Sequence, residues 1–274
     1  KLVNDWLSHI ASYEKVYKKW ETRVDKIIKR YRDEDRDASK DGSAKFNVLW
    51  ANVQTLVPAT YSRIPKPDVS RRFKDNDPAG RVAGMILERA IEFEVQHYGD
   101  FRNTMKAGVL DRFLGGRGTA WARYEPHIRA VAGEPDDGVQ VTEDADAPRE
   151  ELDYECAPVD YVHWKDFGHT LARTWEEVRG VWRKVYMTKA ALEARFGAEK
   201  AKTIPLDAQP EDYDRKETSG EGENLYRACI YEIWDKETAK AYWLSKSLKQ
   251  MVDEQDDPLG LEEFFPCPKP LYAS

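Results

Sequence analysis

Leu225-Tyr226-Arg227-Ala228-Cys229-Ile230-Tyr231-Glu232-Ile233-Trp234 is a run dense in β-branched and aromatic side chains, the composition of a buried strand. A second run, Ala239–Ser245, follows it across Asp235-Lys236-Glu237-Thr238, so the pair predicts an antiparallel hairpin turning on those four polar residues. Beyond the hairpin come Asp257-Pro258-Leu259-Gly260-Leu261, Phe264-Phe265-Pro266 and Pro268-Lys269-Pro270. These stretches carry no catalytic chemistry. They have the character of a module boundary, where a β-rich body hands the chain to whatever follows.

Working back from the hairpin, Thr203 to Gly222 is polar and predicts a loop, and Thr188 to Phe196 predicts a short helix closed by Gly197. Thr174-Trp175-Glu176-Glu177 has the Thr-x-x-Glu spacing of a capping box, which predicts a helix running through Tyr186. Thr119 to Val131 and Leu152 to Trp164 alternate as strands. Between them lies an acidic segment expected to be a long, solvent-facing connection.

The front of the chain has a different period. Leu2, Trp6, Ile10, Tyr13, Tyr17, Trp20, Val24, Ile27 and Ile28 recur at spacings of three and four, giving one apolar stripe on a helix from about Val3 to Arg32. Asn47 to Arg63 predicts a second helix, apolar on most sides and therefore central, stopped by Ile64-Pro65-Lys66-Pro67. Asp77-Pro78 opens a third, with Asp as N-cap and Pro at the first helical position, running to Tyr98 before Gly99. Val82, Met85, Ile86, Ala90 and Phe93 form one apolar face of it, while Leu87, Ile91, Val95 and Tyr98 form another, the pattern of a helix sandwiched between partners. A fourth helix, Phe101 to Leu114, ends at Gly115-Gly116-Arg117-Gly118. The expectation is an α+β chain: a helical N-terminal region over 1–118, then a β-rich region over 119–274 with helices near 174–197.

At 274 residues, 41% hydrophobic and 12% aromatic, the chain has enough apolar surface to bury a sizeable core. Its net charge of −7 is concentrated: Gly133 to Glu155 holds ten acidic residues and one Arg, so the rest is nearly balanced. No basic stripe dominates, which argues against DNA as a tightly held ligand. Cys156, Cys229 and Cys267 are far apart, without CxxC spacing, as in a protein of a reduced compartment. The longest uncharged run, Phe46 to Ser62, carries Asn47, Asn52, Gln54 and Pro58 and is too polar to span a bilayer. Lys1 is no initiator and Ser274 no obvious end, so the chain is expected to be a piece of a longer protein, with an upstream signal peptide left open.

Each candidate for chemistry has a plainer alternative. Gly115-Gly116-Arg117-Gly118 suggests a phosphate cradle, yet the glycines follow a helix and precede a strand, the reverse of a P-loop or dinucleotide loop. A helix-terminal turn needing positive φ accounts for them better. Asp33, Asp35 and Asp37 have the spacing of a calcium loop, but Ala38 and Ala44 stand where Gly and Glu are needed. His163 and His169 flank Trp164-Lys165-Asp166-Phe167, with His127 on a neighbouring strand and Cys156 as an imaginable further ligand. Nothing in the spacing fixes four zinc ligands together, and ordinary sheet-edge histidines are expected. Asp214-Arg215-Lys216 is the one carboxylate-x-Lys of nuclease type, without a flanking strand. No GxSxG is present, and no Cys is locally matched to a His. Arg71, Arg72 and Lys74 around Phe73 could touch nucleic acid or form inter-subunit salt bridges. Pro266–Pro270 is expected to be a rigid connector rather than a polyproline ligand. No catalytic, cofactor-binding or metal residue is assigned from the sequence, and no enzyme is expected.

Several stretches in order resemble the portal (head-to-tail connector) proteins of short-tailed bacteriophages, over about Asn47 to Leu271. They are Phe73-Lys74-Asp75-Asn76-Asp77-Pro78 before a long helix, and Asp111-Arg112-Phe113-Leu114-Gly115-Gly116-Arg117-Gly118-Thr119-Ala120-Trp121 at a helix-to-strand junction. Asp160-Tyr161-Val162-His163-Trp164-Lys165-Asp166 resembles the strand after that family's variable loop. Trp175-Glu176-Glu177-Val178, then Thr188-Lys189-Ala190-Ala191-Leu192 through Arg195-Phe196-Gly197, resembles the helical pair after it, and the Pro258–Pro270 region comes last. No single stretch is diagnostic; the weight is in their order.

The resemblance implies a wing and outer body of a portal subunit. Such subunits form dodecameric rings at one capsid vertex, through which a terminase motor packs DNA and to which tail or adaptor proteins attach. It further implies contact with capsid protein, assembly in the host cytoplasm, a place in the virion, passage of DNA without tight binding, no membrane and no cofactor. The family's stem helices, clip and C-terminal barrel or crown would follow Ser274, so terminase docking, ascribed to the clip, falls on no residue here. The competing classes are a metal-dependent phage nuclease or hydrolase and a monomeric binding module.

Overall fold

The computed structural model describes residues 1–34, 46–71, 77–131, 149–210 and 226–270. Helices come first and antiparallel sheets follow, an α+β architecture. The chain divides into two compact units: one of residues 1–62, 105–121 and 161–274, the other of residues 63–104 and 122–160. The change of element type after Gly118 is therefore not a boundary between these units.

The first unit is built on a five-stranded antiparallel meander in the order β5 (Phe167–His169), β6 (Gly180–Met187), β7 (Ala228–Asp235), β8 (Lys240–Ser245) and β9 (Gln250–Asp256). Every residue of β7 is buried, because both faces of the sheet are covered. Side chains alternate across a strand, so Ala228, Ile230 and Trp234 join one core with Val181, Trp243, Phe264 and Phe265. Tyr231 and Ile233 join the opposite core with Trp182, Tyr242 and Leu244. This is why β7 reads as an apolar run, broken within the strand only by Glu232, instead of an alternating one.

Helix α1 (Leu2–Arg32) covers the second face with Trp6, Ile10 and Tyr13. The first face is covered by Leu192 and Phe196 of α5 (Lys189–Phe196), and by Ala201 of α6 (Ala198–Thr203) with Ile204 after it. Thr188 caps α5, its hydroxyl accepting from the Ala191 amide at 3.2 Å, and Gly197 ends it at φ 83°.

The C-terminal half of α1 packs with α2 (Val48–Thr60) and α4 (Phe101–Gly115) through Val53, Val57 and Leu114. Asn47 joins two helix ends. Its Oδ1 accepts from the Trp50 amide at 3.0 Å, while its Nδ2 donates to the Arg30 and Tyr31 carbonyls at the C-terminal end of α1, at 3.0 and 3.2 Å. The expectation that α2 is central is corrected: only Val53 and Val57 are buried, and Val48, Trp50 and Leu56 are exposed.

The second unit contains α3 (Pro78–His97) and an antiparallel ladder of β2 (Glu125–Val131) with β3 (Arg149–Cys156), register-shifted between His127 and Ile128. Asp77 caps α3, accepting from the Ala79 amide at 3.0 Å, and Gly99 follows it at φ 83°. The Ala157 amide donates to the Glu94 carboxylate, and Tyr98 stacks on Tyr154 at 5.3 Å, which fastens the helix's C-terminal end to β3. Two short strands, β1 (Thr119–Ala122) and β4 (Val159–Val162), pair in a ladder of their own. The continuous strand expected from Leu152 to Trp164 is thus broken at Ala157-Pro158, where Pro has no amide to give a ladder.

One expected helix is absent. Residues 173–177 form a bend and a turn, and 180–187 is the strand β6, hydrogen-bonded between β5 and β7. The capping-box glutamate is engaged elsewhere: Glu177 accepts from the Arg173 amide at 3.2 Å and pairs with its guanidinium at 3.0 Å. A single turn, Val178 amide to Trp175 carbonyl at 3.1 Å, is all that forms before the chain extends. Strand β9 was not expected, because Gln250-Met251-Val252-Asp253-Glu254-Gln255-Asp256 is mostly polar. Pairing to β8 makes it a charged sheet edge.

Candidate interaction surface

Helix α3 spans 20 residues without one buried side chain. Gly80 and Gly84, four apart and so on one face, take the extended segment before the helix: a Cβ at Gly84 would stand 3.1 Å from the Val69 carbonyl oxygen, and one at Gly80 would meet the Arg71 side chain. Arg71 in turn pairs with the capping Asp77 at 2.7 Å. Around the rest of the helix Val82, Met85, Ile86, Leu87 and Phe93 are each about half exposed, Ile86 the most at 64%. The two apolar faces read from the sequence are both present. Among the described residues, Val82, Met85, Ile86 and Phe93 of the first face stand exposed, while the second face ends on Tyr98, stacked on Tyr154.

An apolar helix in water is costly: each large side chain left half exposed forgoes on the order of 1 kcal/mol of burial. Scattered single exposures need no explanation, but Val82, Met85, Ile86 and Phe93 share one face of the helix, a surface of the kind that marks a contact with another protein. In the other unit, the outer face of α2 repeats the pattern with Val48, Trp50 and Leu56.

The sequence candidates for chemistry fall as follows. Gly116 has φ 81°, as the helix-terminal reading required, while Gly118 is needed for a different reason. A Cβ there would sit 1.9 Å from the carbonyl oxygen of Gly108 on α4. The cation of the same loop is turned inward: Arg117 donates to the Tyr13 hydroxyl, to the Trp164 carbonyl at 2.6 Å and to the Phe167 carbonyl at 3.2 Å, and lies over the Trp20 ring at 4.5 Å. It caps backbone carbonyls, which is not a phosphate cradle.

Asp33 is the left-handed residue that closes α1, at φ 62°; Asp35 and Asp37 lie outside the described residues. So do Arg72, Phe73, Lys74, Asp214, Lys216 and the acidic stretch 132–148. Pro266–Pro270 follows Phe264 and Phe265, both buried in the first core with Cys267. Lys269 pairs with Glu176 and holds its carboxyl down at about 2.

His163 and His169 go separate ways. The Lys165 amide donates to His163 Nδ1 at 3.4 Å, and His163 packs beside Trp164. His169 Nδ1 faces the Thr170 carbonyl at 3.0 Å, its Nε2 faces the Tyr17 hydroxyl at 3.4 Å, and its ring lies among Tyr13, Tyr17 and Trp175. Burial pushes its pKa down, and Arg117 adds to the effect. Burial also raises the Cys229 thiol to about 11 and Cys267 to about 12, so both stay protonated at neutral pH.

His127 and Cys156, by contrast, do come together, with Glu125, on the β2–β3 ladder. The sequence offered two of these three residues; Glu125 was missed because only the strand register places it opposite Cys156. The i, i+2 spacing of Glu125 and His127 was the signal that a pairing could have exploited.

A scan against protein-family models returns no match, and a search of curated proteins finds no significant similarity. Among the described residues no helix is long and apolar enough to cross a membrane.

Proposed function

We propose that this chain is the wing and outer body of a ring-forming structural subunit of the phage-portal kind, whose work is mechanical rather than catalytic. The observation that carries the proposal is α3, a helix of 20 residues with no buried side chain and large apolar residues exposed along it. A protomer that meets copies of itself around a ring needs such a surface; a self-sufficient monomer gains nothing from it.

The order of the portal-like stretches adds to this, as does the charge. A conduit for DNA must let phosphates slide, and a chain of net −7 without a dominant basic stripe holds them weakly. In this proposal the ring is dodecameric and sits at one capsid vertex. Capsid protein, a terminase motor and tail or adaptor proteins are its partners, and packaging and ejection of the genome are the processes it serves.

Negative-stain imaging of the complete gene product at micromolar concentration tests the proposal directly. Rings with an axial hole are the expected result. Discrete monomers or compact dimers of the full-length protein would sink it.

A further inference from the structure

We infer that Glu125, His127 and Cys156 form a zinc site at the end of the β2–β3 ladder. Glu125 and His127 project from the same face of β2, and the register sets Cys156 of β3 directly across from Glu125. One ligand atom from each side chain lies within 4.8 Å of the other two. Tetrahedral zinc bonds of about 2.0–2.3 Å imply ligand separations of about 3.3–3.8 Å, so these donors close on an ion by shifts on the order of 1 Å.

The surroundings are those of a prepared site. Each donor is already oriented by a neighbour, as ligands of bound metals usually are. Arg123, itself held by Asp160 at 2.6 Å, binds Glu125 Oε2 at 2.9 Å. Glu125 Oε1 is thereby turned toward His127 Nε2, at 3.5 Å. The His127 ring is stacked flat on Tyr154 at 4.1 Å and 16°, and Tyr154 on Tyr98, which sets the imidazole plane. Cys156 is 7% exposed and its Sγ donates to the Glu125 carbonyl at 3.6 Å.

The donor set selects the metal class. Thiolate and imidazole are ligands for zinc and not for magnesium or calcium, and one carboxylate completes a three-residue set common to zinc. On binding, Zn2+ forms a bond to Sγ and the thiol proton leaves to solvent, so affinity rises with pH. The fourth position is left to water or to a donor from elsewhere.

The test is a cobalt titration of the protein, stripped with chelator and kept reduced. The expected result is one equivalent of Co2+ bound, with a thiolate-to-cobalt charge-transfer band in the near ultraviolet and tetrahedral d–d bands, all discharged by Zn2+. Cys156→Ser loses the charge-transfer band and His127→Gln loses the stoichiometric binding, while His163→Gln and Cys229→Ser leave both unchanged. A wild-type protein, folded by circular dichroism, that shows no thiolate band overturns the inference. So does a band that persists in Cys156→Ser, which would place the thiolate ligand elsewhere.

Discussion

Glu232 is a carboxylate in the middle of β7, 6% exposed, and it is tolerated there because every oxygen is used. Arg183 donates to its Oε2 at 2.7 Å, and the indoles of Trp121 and Trp234 both donate to its Oε1 at 3.1 Å. Arg183 also lies over the Trp121 ring at 5.0 Å. Removing the guanidinium leaves a buried charge without its counterion, so Arg183→Met is expected to cost about 3–5 kcal/mol. The midpoint of urea unfolding measures it, and a loss under about 1 kcal/mol would mean the pair is not shielded from water. His169 gives a second prediction. Its folded pKa lies below the unfolded value of about 6.5, so the unfolded chain binds the extra proton first and stability falls as pH drops below that value. Unfolding midpoints measured from about pH 7.5 down to 5.5 should decline in the wild type and decline less in His169→Gln. Gly118→Ala, whose Cβ would overlap the Gly108 carbonyl, should destabilise by about 2 kcal/mol or more on the same measurement, since backbone rather than a flexible side chain must yield.

Helix α3 shows how local rules and partner requirements separate. Asp77, Pro78 and Gly99 delimit it by backbone chemistry alone, and the limits read from them match the helix observed. Its apolar faces tell what the helix wants next to it, and among the described residues the face of Val82, Met85, Ile86 and Phe93 stays exposed. Replacing Ile86, 64% exposed, by Glu should therefore leave the unfolding midpoint of the isolated protein within about 0.5 kcal/mol of wild type. The same change should abolish ring formation by the full-length product in negative stain. Rings that persist in this variant would remove α3 from the subunit contact. Strand β6 failed the opposite way. Thr174 and Glu177 have a helix's spacing, but Val181 and Met187 face one core and Trp182 the other, and pairing on both sides to β5 and β7 satisfies backbone groups that a short helix would have left to water.

Across the whole molecule, periodicity and punctuation revealed the classes of element and most of their ends. The stripe of α1, the N-cap of α3, the glycine end of α5, the hairpin of β7 and β8, and the α+β order all rest on interactions between residues close in sequence, which is why they can be read there. The units do not follow that order. Each is assembled from segments far apart in the chain: α1 closes a sheet whose strands begin at residue 167, and α3 fastens to a strand that ends at residue 156. The same separation hid the candidate site. His127 and Cys156 were visible as ligand types, but a histidine and a cysteine that far apart become neighbours only through the register of β2 on β3, which also brings in Glu125. Local propensity and capping are short-range and leave their mark on the residues that feel them. Strand pairing, the covering of both sheet faces and the convergence of ligands are long-range, decided by which apolar surfaces can be removed from water together, and they exist only in the folded chain.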